Sequence, residues 1–142
     1  MRQATLWLTA AIMSAASAAG AQTAAPPLGA ALAGNTVAAV MFLPHEDKVD
    51  RVMFQAFLRP DGSELVRRWD PSHDAYTAPA DGRWTVSGDT LCLQFPGLDG
   101  DPNICIETHL YGPRIAGNTA GTGRFAMLDG NVEPGNSIAA QH

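Results

Sequence analysis

Apolar and polar residues alternate with period two along most of this chain, in short runs that Gly, Pro and Asp-Gly interrupt about every ten residues. Thr36 to Leu43 is β-branched and apolar and is stopped by Pro44. Arg51 to Leu58 alternates, with Val52, Phe54, Ala56 and Leu58 on one side and Met53 and Phe57 on the other. Arg59-Pro60-Asp61-Gly62 predicts a tight turn, with Pro at its first central position, into a partner strand from Ser63 to Trp69. Asp70 to Gly82 reads as the longest irregular stretch. Arg83 to Val86 is a short strand turning at Ser87-Gly88-Asp89. Further strands are expected over Thr90 to Phe95, Ile104 to Thr108, His109 to Ile115 and Gly123 to Leu128, with a turn at Asp129-Gly130. No strand alternates with a helix, so a parallel sheet is not expected. The pattern predicts an all-β antiparallel meander that curls into a small barrel or half-barrel, with a sandwich as the other architecture.

The two ends depart from that rhythm. Arg2, an apolar run from Leu6 to Ala19, and the small residues Ala19-Gly20-Ala21 form an export-signal pattern over residues 1–21, cleaved before Gln22. The lead, 22–33, contains Leu28 and Leu32 at helical spacing and predicts a short helical turn ended by Gly34. The β domain is expected over 34–130, and 131–142, rich in Gly, Pro and Ala, as a flexible tail. Export to an oxidising compartment, a bacterial periplasm, follows from the signal, as a soluble protein without membrane insertion after cleavage.

That compartment gives meaning to the two cysteines, Cys92 and Cys105. Each stands on the opposite face of its strand from the large aliphatics, and Pro96 to Asn103 between them is turn chemistry. If the two strands form a hairpin in which Leu93 faces Ile104, Cys92 faces Cys105 and a disulfide can close.

Charge narrows the choice of partners. The chain has 9 basic and 14 acidic residues; without Arg2 the balance is 8 against 14, a net charge of −6. Its basic residues are scattered, so it lacks the concentrated positive footprint that nucleic acid requires.

The ordered series Gly34-Asn35-Thr36, Pro60-Asp61-Gly62, Gly82-Arg83-Trp84, Gly88-Asp89-Thr90-Leu91-Cys92 and the later Cys105 resembles a pattern in small exported bacterial proteins of unknown function. The resemblance covers about half of the chain after the signal and implies a periplasmic β domain without an established activity. Gly82-Arg83-Trp84 is also similar to the Gly-x-Trp of lipocalins, whose Trp plugs one barrel end. Here it falls mid-chain, so it implies barrel-like packing and no ligand.

Catalytic patterns are weak. His45-Glu46-Asp47 and His73-Asp74 pair imidazoles with carboxylates in predicted loops, but neither has a His or Cys partner at ligand spacing. They read as solvated loop residues unless His45, His73 and His109 converge on a metal. Asp99-Gly100-Asp101-Pro102-Asn103 begins like a calcium loop, but Ile104 and Leu110 occupy the positions that need Gly and a bidentate Glu. No serine sits in a Gly-x-Ser-x-Gly elbow. The expectation is a non-enzyme without a cofactor or metal. It is a periplasmic β domain that binds or inhibits another envelope protein, with Met53, Phe57 and Trp69 as an outward apolar patch. The alternative is a lipocalin-like barrel carrying a small apolar ligand near Trp84 and Arg124.

Overall fold

A computed structural model describes residues 26–45, 47–119 and 127–139, the side chains of Pro44 and His45 excepted. The signal segment 1–21 and Arg124 lie outside the described residues. Among the described residues one short helix, α1 (Leu28–Leu32), precedes nine strands. These are β1 (Thr36–His45), β2 (Lys48–Leu58), β3 (Ser63–Asp70), β4 (Ala75–Tyr76), β5 (Ala80–Ser87), β6 (Thr90–Gln94), β7 (Asn103–Tyr111), β8 (Arg114–Asn118) and β9 (Met127–Glu133).

Eight of them close an antiparallel barrel in the order β1-β2-β3-β5-β6-β7-β8-β9, with β9 returning to β1. The two-residue β4 stands outside the ring and pairs only with β3. Closure leaves no open edge in the ring. Apart from the closing β9–β1 pair, neighbours in the ring follow chain order, with β4 passed over between β3 and β5.

The inward residues fill the barrel. Val37, Ala39, Met41, Phe54, Ala56, Leu58, Val66, Leu91, Leu93, Phe95, Ile106, Ile115 and Leu128 form one buried cluster. Phe54 and Phe95 meet edge to face, with ring centroids 5.1 Å apart, an arrangement suited to their quadrupoles. At one end, Leu32 of α1 is fully buried and Trp84 donates from its indole N–H to the Arg59 carbonyl at 2.8 Å. Asn35 caps the helix by donating to the Ala31 carbonyl at 2.9 Å. At the other end the 95–102 loop folds inward. Leu98 packs on the core, and the inward Arg68 donates to the Gly97 carbonyl at 2.8 Å.

Several expected boundaries move. Pro44 does not stop β1, which pairs with β2 as far as His45. The expected strand from His109 to Ile115 is divided by a turn, because Gly112 takes φ +60° between β7 and β8. The supposed irregular stretch from Asp70 to Gly82 contains β4 and the start of β5.

Asp129-Gly130 is no turn; it lies within β9, with Gly130 opposite both Ala39 and Ile115. A Cβ at Gly130 would stand 2.3 Å from the Ala38 carbonyl oxygen and 2.5 Å from the Ala39 Cβ. The glycine is there for a close approach of two strands. Gly130→Ala is therefore expected to lower stability by about 2 kcal/mol, the usual cost of forcing atoms into a packed wall. Urea denaturation would read this, and an unchanged midpoint would contradict the close packing.

Residues 131–139 are not the flexible tail expected. β9 continues to Glu133, and residues 134–139 fold back on Thr36. The Thr36 hydroxyl donates to the Gly135 carbonyl at 2.7 Å and accepts from the Ser137 N–H at 3.0 Å. Ile138 is buried by this turn, apart from the main core cluster.

Candidate functional site

The Cys92–Cys105 disulfide is present, with Leu93 opposite Ile104 in the same register. Its Cα atoms are 4.0 Å apart and it joins β6 to β7 on the outer face. Leu91, Leu93 and Ile106 point the other way, into the core.

Three of the residues singled out for an apolar patch come together. Met53 and Phe57 face outward from β2, since the alternating Phe54, Ala56 and Leu58 face in. Trp69 faces outward from the adjacent β3. All three are half-buried. Register adds others on the same outer face. Val40 is opposite Met53, Leu65 is opposite Phe57, and Phe42 of β1 is opposite the exposed Met127 of β9.

A rigid polar group interrupts this apolar surface. Gln55, buried and outward, accepts two bonds from Arg67, at 2.8 Å from Nε and 2.6 Å from Nη2. The Arg67 guanidinium lies 4.5 Å from the Tyr76 ring centroid, and Tyr76 meets Trp69 edge to face at 5.3 Å. The two-residue β4 exists to hold Tyr76 there, through its pairing with Trp69. Trp84 plays a different part. It is buried and bonded at the α1 end, so it plugs the barrel and does not belong to the outer patch.

The sequence reading missed one group altogether. Glu64 of β3 points into the barrel and is fully buried. Its Oε1 accepts the Gln94 N–H at 2.9 Å, and its Oε2 has no hydrogen-bond partner among the described residues. Burial pushes this carboxyl up to about 8, against a smaller opposing effect of the Gln94 bond. Space for it comes from Gly82, directly opposite on β5, where a Cβ would stand 2.8 Å from Oε1. The paired register of β5 and β6 ends at Trp84 and Leu93, just before Gln94. Glu64 thus supplies the acceptor that the ladder lacks, and Gln94 Oε1 in turn accepts the Arg83 N–H at 3.2 Å.

Of the loop candidates, His73 and Asp101 form local hydrogen bonds, while the His45 side chain and Glu46 lie outside the described residues. Asp70 is held down to about 2, first by the Ser72 hydroxyl and then by His73, whose Nδ1 lies 2.6 Å from Oδ2. Asp101, in the segment that begins like a calcium loop, accepts the Gly97 N–H at 2.7 Å and closes that loop on itself. His109 lies on the outer face of β7, 3.7 Å from Glu107. Among the described residues no three His, Cys, Asp or Glu side chains gather at metal-binding distance. Two shallow outer depressions of about 240 Å³ each lie over β5–β6–β7 and over β7–β8. The first is lined by Arg83, Thr85, Gln94 and Asn103; the second includes Glu107, His109 and Tyr111.

Compared with protein-family models, curated proteins and solved structures, the chain matches none. No described helix is long and apolar enough to cross a membrane.

Proposed function

We propose that this chain is a non-catalytic β domain of the periplasm that binds another envelope protein, or inhibits it by binding, through the outer face of β1, β2 and β3. The observation that supports this is the grouping of the half-buried Val40, Phe42, Met53, Phe57, Leu65 and Trp69 on the outer face of adjacent strands, flanked by the turn at residues 134–139 and by Tyr76. Apolar area of that kind, set around a fixed Arg and two aromatic rings, has the composition of an interface centre. The Arg67–Gln55–Tyr76 cluster holds its side chains before any partner arrives, so little rotamer entropy is lost on docking. The disulfide and the export pattern of residues 1–21 support an oxidising compartment.

The filled interior favours this reading over carriage of a small apolar ligand. Met41, Phe54, Leu91, Leu93, Phe95, Ile106, Ile115 and Leu128 already occupy the barrel, each no more than 2% exposed.

Met53→Asp places a charge at the middle of the outer face, beyond the packed core. Folding is expected to survive, with an unchanged far-UV spectrum, while recovery of the partner from envelope extract falls at least tenfold. A protein retained equally by wild type and Met53→Asp would sink the proposal.

A further inference from the structure

We propose that Glu64 is a proton-operated latch on the β3–β5–β6 seam. While protonated, its side chain stays inside the barrel and carries the seam bond to Gln94. When the proton leaves, the carboxylate moves out to water and β5 and β6 separate locally at Gln94.

Geometry carries this first. The side chain spans from β3 across Gly82 of β5 to the Gln94 N–H of β6, so one group joins three strands. It bonds where the β5–β6 register has already ended, and no ladder bond substitutes for it if it leaves. Its second oxygen is buried without a partner, a position tolerable for a neutral acid and costly for a carboxylate.

Among the described residues, no charged group offsets that cost. On β3, Arg68 is inward but committed to the Gly97 carbonyl. On β5, Asp81 and Arg83 are exposed, flanking the inward Gly82. Arg59, at the end of β2, bonds Ser63 and Asp81. Leu58, the β2 residue opposite Glu64, is apolar. β6 (Thr90–Gln94) and α1 (Leu28–Leu32) carry no titratable side chain apart from the bridged Cys92. Gln94 and Arg83 also line the outer depression over β5–β6–β7, so the latch controls the shape of that surface.

The sign follows from proton linkage. The latched state holds its proton up to about pH 8, whereas the released side chain titrates near its ordinary 4.5. Release therefore becomes easier as pH rises between those values, about tenfold per pH unit, and levels off above.

Amide exchange by NMR on the full oxidised chain, corrected for intrinsic rates, tests it. The Gln94 and Arg83 amides are expected to lose protection about tenfold per unit from pH 5 to 8, while those of the β1–β2 seam keep theirs. In Glu64→Gln, whose amide oxygen still accepts from Gln94, the profile is expected to be flat. Constant protection in wild type would overturn the proposal. So would an equal decline in the variant, or loss in step with the β1–β2 seam. Should Glu64→Gln not fold, the 13C carboxyl titration of Glu64 in wild type decides, and a midpoint near 4.5 would overturn the latch.

Discussion

Glu64→Gln is expected to turn a barrel that weakens steadily toward alkaline pH into one whose stability is nearly level between pH 5 and 8. Glu64 is fully buried, and its carboxyl is pushed up to about 8 by burial, so the folded chain keeps a proton that the unfolded chain gives up near 4.5. A group of this kind stabilises most below the unfolded value, and its contribution declines through the interval and is gone above the folded one. Each pH unit in the interval is equivalent to about 1.4 kcal/mol. Across the interval that reaches several kcal/mol, a large part of a small domain's total. Asp70 and Asp61, held down by the hydroxyls of Ser72 and Ser63, act with the opposite sign but only in acid, below the ordinary carboxylate range. They leave the interval from 5 to 8 clear. Urea denaturation of both chains at pH 5, 6.5 and 8 gives the comparison. Parallel slopes for wild type and variant would mean that Glu64 is not the group responsible.

Cys105→Ser is expected to lower the melting temperature by about 10 °C. The bridge closes a loop with a sequence separation of 13, which in the chain-entropy model stabilises by about 3 kcal/mol, and a domain of this size converts each kcal/mol into a few degrees. Its position makes the loss local as well as global. The same hairpin carries the loop at 95–102 that covers one barrel end, with Phe95 and Leu98 packed on the core. Wild type with dithiothreitol and Cys105→Ser without it are expected to melt together. Mass spectrometry of the wild type before reduction is expected to show no iodoacetamide adduct. A variant melting with wild type would show that β6 and β7 are held by register and packing alone.

Much of the fold was legible because its determinants are local. A period of two, turn residues at regular intervals and the absence of helix–strand alternation specify an antiparallel meander wherever the strands end up. The disulfide was legible for the same reason: cysteine parity on two strands separated by turn residues requires only a hairpin. Met53 and Phe57 were readable as outward residues once Val52, Phe54, Ala56 and Leu58 had claimed the core.

Local signals misled where a long-range contact decided. Asp129-Gly130 has the composition of a turn, yet the approach of β9 to β1 is what requires its glycine. Glu64 is the clearest instance. A charged residue beside a turn carries no local sign of burial. The turn at residues 59–62 pairs Leu58 with Glu64, and Leu58 faces the core, so register alone takes the carboxyl inside.

By itself, the sequence determined the strand rhythm, the hairpin and its sulfur bridge, because each depends on neighbours within a few residues. Tertiary structure alone decided ring closure, the assembly of the outer patch across β1, β2 and β3, and the burial of one acid. Those depend on register between strands, and a shift of a single residue in pairing exchanges inside for outside along an entire strand.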